Sequence, residues 1–147
     1  IDGFEQGKKI SNEELLALEC DFLIPAALGS AINESNVDSL NCKVIIEAAN
    51  GPVTGEAANK LWKRKIAIIP DILTNAGGVT VSYFEWVQNL QQFKWTEEEV
   101  NKKLEDKMVQ AFKEVHDVKV KQKIPMRIAS FMVAIDRVER SYTLRGG

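Results

Sequence analysis

Three short apolar runs alternate with segments of helical pattern, and this alternation limits what the chain can fold into. Residues 20–24, 43–47 and 66–69 read as strands, and the stretches between them read as helices. Strands that alternate with helices form a parallel sheet with crossover helices. The run KVIIE at 43–47 is continuous rather than alternating, which marks a strand covered on both faces. Three such strands make half of a doubly wound sheet, not the whole of one.

Cap residues mark the helix boundaries. Ser11 with Glu14, and Thr96 with Glu99, have capping-box spacing, in which each side chain satisfies the other's free backbone N–H. They open helices expected over 11–18 and from 97 to about 116. Thr54 caps a helix expected over 55–65. A weaker helix is expected over 32–40, with Asn33 as its cap. Residues 117–123 are basic and polar and read as a loop. Pro125 suits the first turn of a last helix reaching about residue 142. The 97–116 helix carries Val100, Leu104, Met108, Ala111, Phe112 and Val115 on one face. The last helix carries Ile128, Phe131, Met132, Ile135 and Val138, which read as its core stripe. Arg127, Arg137, Arg140 and Arg145 read as exposed charge or subunit contact, and His116 as a complement to a helix dipole. Residues 1–10 read as a loop and 144–147 as a flexible end.

Residues 71–86, DILTNAGGVTVSYFEW, hold the densest set of functional signals. An apolar strand precedes them, and an aromatic-rich helix follows, from Gly78 to about residue 92. Asn75-Ala76-Gly77-Gly78 lies between. Two adjacent glycines at a strand-to-helix junction let the backbone take positive φ and either approach a ligand or simply make a tight turn with none. The new helix would present its free N–H groups there. In open α/β sheets, ligands bind beyond the carboxyl ends of the strands. Asn50, in Ala48-Ala49-Asn50-Gly51-Pro52, marks a second junction of this kind. Ala26-Ala27-Leu28-Gly29 marks a third, where small residues either pack closely or let a flat ring approach. On the helix, Val79, Ser82, Tyr83, Trp86, Val87 and Leu90 share one face. Ser82 is the only small polar residue in that row. Its hydroxyl either bonds the carbonyl four residues back or faces an anion favoured by the helix dipole.

The 147 residues carry 19 Lys and Arg against 21 Asp and Glu, a net charge of −2. Nucleic acid and anionic membranes favour a basic excess, so neither is expected as a partner. No apolar run approaches the ~20 residues of a membrane span. Cys20 and Cys42 lie beside strand-like runs in no ligand pattern. Both are expected to be buried, reduced thiols, and no metal is expected. The phosphate-binding fingerprint G-x-G-x-x-G is absent. A half-domain carrying it is expected upstream of Ile1, so the chain is expected to be a piece of a longer protein. The alternative is a stand-alone, non-catalytic α/β module that binds a nucleotide or a partner.

VIIEAANGPVT at 44–54 and PDILTNAGGVTVSYFEW at 70–86 resemble the paired signatures of the glutamate/leucine/phenylalanine/valine dehydrogenases. CDFLIPAAL at 20–28, Arg137-Val138 and Thr143-Leu144-Arg145-Gly146 fit the same family. The similarity covers nearly the whole chain. It matches the carboxyl-terminal part of such an enzyme: the second half of a Rossmann-like doubly wound sheet, with the last helices (about 97–147) packing back toward a substrate domain that is absent. The continuation SYFEW points to the glutamate members rather than the branched-chain or aromatic ones.

The resemblance implies oxidative deamination of L-glutamate to 2-oxoglutarate and ammonium, with NAD or NADP accepting the hydride. It implies a homohexamer, cytoplasmic or else in the mitochondrial matrix. It places Ala26, Ala27, Asn50 and Asn75 against the cofactor, and Asn75, Val79 and Ser82 against the substrate, with the Ser82 hydroxyl on the γ-carboxylate. The family's catalytic lysine and aspartate would lie upstream. No catalytic acid or base is therefore assigned to this chain, which alone is expected to be inactive.

Overall fold

A computed structural model describes residues 7–146. Residues 7–10 have no regular structure, and the rest of the expected amino-terminal loop, residues 1–6, lies outside the described residues, as does Gly147. The elements in order are α1 (Asn12–Leu16), β1 (Cys20–Leu23), a 3-10 turn (Val37–Ser39), β2 (Cys42–Ile46), α2 (Gly55–Lys63), β3 (Ala67–Ile69), α3 (Asp71–Thr74), α4 (Ala76–Gln91), α5 (Glu97–Gln122) and α6 (Met126–Leu144). The strands are parallel in the order β1-β2-β3, with Cys20 opposite Cys42 and Ile45 opposite Ile68. The expected parallel half-sheet is present.

Both capping boxes form. Ser11 Oγ accepts from Glu14 N at 3.1 Å, and Glu14 Oε2 accepts from Ser11 N at 2.8 Å. Thr96 and Glu99 repeat the exchange at the start of α5. Thr54 Oγ1 caps α2 by accepting from Ala57 N at 3.3 Å.

The structure departs from the expected local structure in these places. Residues 32–40 form no α-helix: Ile32 makes an isolated parallel bridge with Val53, and only Val37–Ser39 coil, as the short 3-10 turn. Asn33 Oδ1 accepts from Ser35 N at 3.0 Å and Ser35 Oγ at 2.6 Å, a local turn that competes with a helix. Residues 117–122 are not a loop but the end of α5, which stops where Lys123 turns left-handed at φ 56°. Lys, Val and Gln are adequate helix formers, and nothing before Lys123 breaks the ladder. Pro125 is the N-cap of α6 rather than part of its first turn. Asn75 to Gly78 is not an open junction. α3 ends and α4 begins there, Gly77 and Gly78 are helical, and the positive φ of 56° falls on Gly51 instead.

The core lies in two clusters. Ile32, Val37, Leu40, Ile45, Val53, Ala57 and Leu61 pack between the sheet and α2. Leu73, Val115, Met126 and Ala129 pack α3, α5 and α6 together, with Ile69 of β3 and Val133 against them. The expected core stripe of α6 therefore faces outward: Ile128, Phe131, Met132, Ile135 and Val138 are exposed. The small residues Ala129 and Ser130 pack instead and let the helices approach. On α4 the row Val79, Ser82, Tyr83, Trp86 and Leu90 is likewise exposed. Phe84 is the buried side chain there, its ring 5.6 Å from that of Trp95. Cys42 is buried and Cys20 only half-buried, and both are free thiols. Burial pushes the Cys42 thiol above its ordinary value. Among the described residues no helix is long and apolar enough to cross a membrane.

Candidate functional site

Backbone hydrogen bonds lay the carboxyl ends of the three strands side by side. Ala48 N and Ala49 N donate to Pro25 O at 3.1 and 2.9 Å, and Glu47 N donates to Ile69 O at 3.0 Å. Ala26, Ala27, Ala48, Asn50 and Asn75 are exposed along this edge. Asn75 Nδ2 donates to Asn50 Oδ1 at 3.0 Å, so the structure joins the two junctions that the sequence marked separately. The turn carrying Asn50 is braced from behind. Ser30 N donates to Gly51 O at 2.8 Å and Ile32 N to Pro52 O at 2.9 Å. A Cβ at Gly29 would lie 3.2 Å from Asn50 O. Close backbone packing therefore accounts for that glycine, while Ala26 and Ala27 stay open to solvent.

Beneath the edge sits a charged pair that sequence reasoning missed. Glu47 follows β2 and is 0% exposed. One carboxylate oxygen is ion-paired with Arg127 at the start of α6, and the other accepts from Asp71 N at 3.0 Å. Asp71 Oδ2 in turn accepts from Gly51 N at 2.7 Å. Burial pushes the Glu47 carboxyl above its ordinary value, while the Asp71 N–H and the Arg127 guanidinium pull it back. Arg127 is thus not the surface charge that its sequence position suggested. The available signal was an acid closing a run with no other polar group after Lys43, since a buried charge is rarely left unpaired. Arg137, also expected at the surface, pairs with Glu114 and ties α6 to α5 while staying half-exposed.

Asn75, Val79 and Ser82 lie at intervals of four and three along α4, so they share one face rising from the strand ends. Val79 is 70% exposed. Thr74, Thr80, Ser130 and Ser141 each donate to the carbonyl four residues back. The Ser82 hydroxyl makes no such bond among the described residues and is exposed. A Cβ at Gly77 would sit 3.9 Å from Met108 Sδ, an ordinary contact, and one at Gly78 would meet nothing within 4 Å. Helical glycines cost stability, and packing in this chain does not demand these two. Gly78→Ala is therefore expected to raise ligand-free stability by about 0.4–1 kcal/mol in urea unfolding. A loss would show that the fold itself needs the glycine.

A cavity of about 990 Å³ opens between the sheet, α2 and the α5–α6 pair, lined by Phe22, Val44, Trp62, Phe112 and Ile128 among others. None of the sequence-marked site residues lines it. It is uncovered apolar surface rather than the strand-end site. No cluster of His, Cys, Asp or Glu among the described residues could hold a metal.

A parallel half-sheet that gathers asparagine amides and a helix start at its carboxyl ends is of the Rossmann-like α/β class. The family model for Glutamate/Leucine/Phenylalanine/Valine dehydrogenase matches residues 1–146, and the chain belongs to that family. It is 47% identical over 137 residues to the NAD-specific glutamate dehydrogenase of Staphylococcus aureus, covering 93% of this chain and 33% of that protein. Its fold matches the glutamate dehydrogenase of Peptoniphilus asaccharolyticus with a TM-score of 0.79 at 45% identity, over 84% of this chain and 31% of that one. It matches the Leu-bound hetero-hexameric glutamate dehydrogenase of Thermus thermophilus with a TM-score of 0.90 at 27% identity, over 97% and 34%. The chain thus spans about a third of the length of the relatives it matches.

Proposed function

We propose that this chain supplies the nicotinamide-facing and substrate-facing side of an NAD-dependent glutamate dehydrogenase. The observation that carries the reading is the row Asn75–Val79–Ser82, with an open hydroxyl at its far end. Bound NAD supplies the hydride acceptor. Ala26 and Ala27, exposed and without bulk, suit the flank of a flat ring. The linked amides of Asn50 and Asn75 orient polar groups of cofactor and substrate at the strand ends. Ser82 donates to the γ-carboxylate of glutamate, beside Val79. NAD rather than NADP is favoured by the NAD-specific relatives.

The exposed apolar rows of α4 and α6 support packing against further parts of a longer enzyme, since large exposed apolar patches mark contact surfaces. α5 and α6 then pack toward a substrate domain. A hexameric assembly is favoured by the Thermus relative.

The test is Ser82→Val in the full-length enzyme. A hydrogen bond to a charged group contributes about 1.5–3 kcal/mol, which corresponds to roughly 10- to 150-fold in kcat/KM. Glutamate turnover should fall by that factor, and apolar amino acids should gain relative to it. Unchanged kcat/KM for glutamate overturns the assignment.

A further inference from the structure

We propose that Glu47 and Arg127 are positioning residues, a buried pair that sets the spacing of the two turns carrying Asn50 and Asn75. The inference rests on the functional reading above, in which those amides face cofactor and substrate.

The connections form a chain. Arg127, in the first turn of α6, holds one Glu47 oxygen. The other oxygen receives Asp71 N–H at 3.0 Å. Asp71 passes the constraint in two directions. Its carboxylate takes Gly51 N–H at 2.7 Å, beside Asn50, and its carbonyl takes Asn75 N–H at 2.8 Å. Glu47 is thus the common anchor beneath both asparagines. Arg127 also reaches the Asn50 side of the site, donating to Val53 O at 3.5 Å.

Stability alone does not explain the pair. A buried ion pair is often no more stabilising than apolar residues of the same volume. Here Arg127 Nε is buried without a hydrogen-bond partner, a cost the fold retains. What an apolar pair could not supply is a two-pronged acceptor fixed at once to α6 and to the start of α3.

Glu47→Gln, made in the full-length enzyme, separates this role from simple support. Glutamine has one acceptor oxygen, so it serves Asp71 N–H or Arg127 but not both. Hydrogen–deuterium exchange should be about tenfold faster at the Gly51 and Asp71 amides, in peptides covering 48–54 and 70–76, with α2 unchanged. The rate kcat should fall roughly 10- to 100-fold, the effect of a small misplacement of reacting groups, with KM for glutamate within about threefold of wild type. Unchanged exchange at both amides, or unchanged kcat despite faster exchange, overturns the proposal. If Glu47→Gln does not fold, Arg127→Lys takes its place. It keeps the charge but loses the planar fork, and is expected to move the same two peptides; unchanged exchange overturns the proposal here too. A wild-type enzyme without glutamate-dependent NAD reduction would overturn the functional reading instead, and the exchange readout would still decide the positioning role.

Discussion

Replacing Arg127 with methionine is expected to cost about 3–5 kcal/mol of folding stability, the cost of stripping one partner from a buried ion pair. Glu47 has no exposed surface, so its carboxylate cannot turn to water when the guanidinium is gone. Only Asp71 N–H would remain to hold it, and the Asp71 carboxylate lies close enough to push the Glu47 carboxyl further up. Adding Glu47→Gln to Arg127→Met should restore part of the loss, because the stranded charge is then absent and the two changes are coupled.

The same variant has a signed pH dependence. In the wild type the Glu47 carboxyl is held above its ordinary value, with burial the largest cause. A group raised on folding contributes stability below its unfolded pKa and loses it as pH rises through the folded pKa. Without Arg127 the folded value moves higher still. The deficit of Arg127→Met should therefore shrink as pH falls from about 7 to about 5. Glu34, Glu99 and Glu114 are shifted down, but they are present in both proteins and cancel in the difference. Urea unfolding at both pH values measures it. A deficit below about 1 kcal/mol, or one that grows toward acid, refutes the expectation.

The strands and the two capping boxes were legible because their causes are local. KVIIE has one comfortable conformation, and Ser11–Glu14 and Thr96–Glu99 satisfy their own backbone. The two asparagine turns were legible as separate points, but the hydrogen bond joining them spans residues 50 and 75 and depends on the sheet register. Gly77-Gly78 misled because adjacent glycines favour turns, whereas here α4 carries them in its first turn. The packed face of α6 misled because its largest apolar residues form one row and its small ones another. Close helix approach selected Ala129 and Ser130, and periodicity alone cannot rank two rows. Glu47–Arg127 bridges 80 positions, and no local pattern reports a contact of that range.

Leu61→Ala is expected to cost about 3–5 kcal/mol, the upper part of the range for a leucine cut from a core. Leu61 is 0% exposed and sits among Ile45, Val37, Ile32 and Ala57 between α2 and the sheet. The size of the loss depends on whether α2 can settle into the space left behind. Arg64, just past the end of α2, donates to Val37 O at 2.5 Å and Leu40 O at 2.6 Å, which pins the helix to the crossover before β2. Thr54 holds the other end through its cap and its 2.5 Å hydrogen bond to Glu34. With both ends fixed the cavity stays open, so the cavity cost adds to the lost transfer energy. Urea unfolding should show a lower midpoint with an unchanged slope. Leu90→Ala, at a leucine 66% exposed on α4 in this chain, should lie within about 0.5 kcal/mol of wild type when the 147-residue chain is titrated by itself. Equal losses at the two leucines would mean that burial in this core does not set the cost.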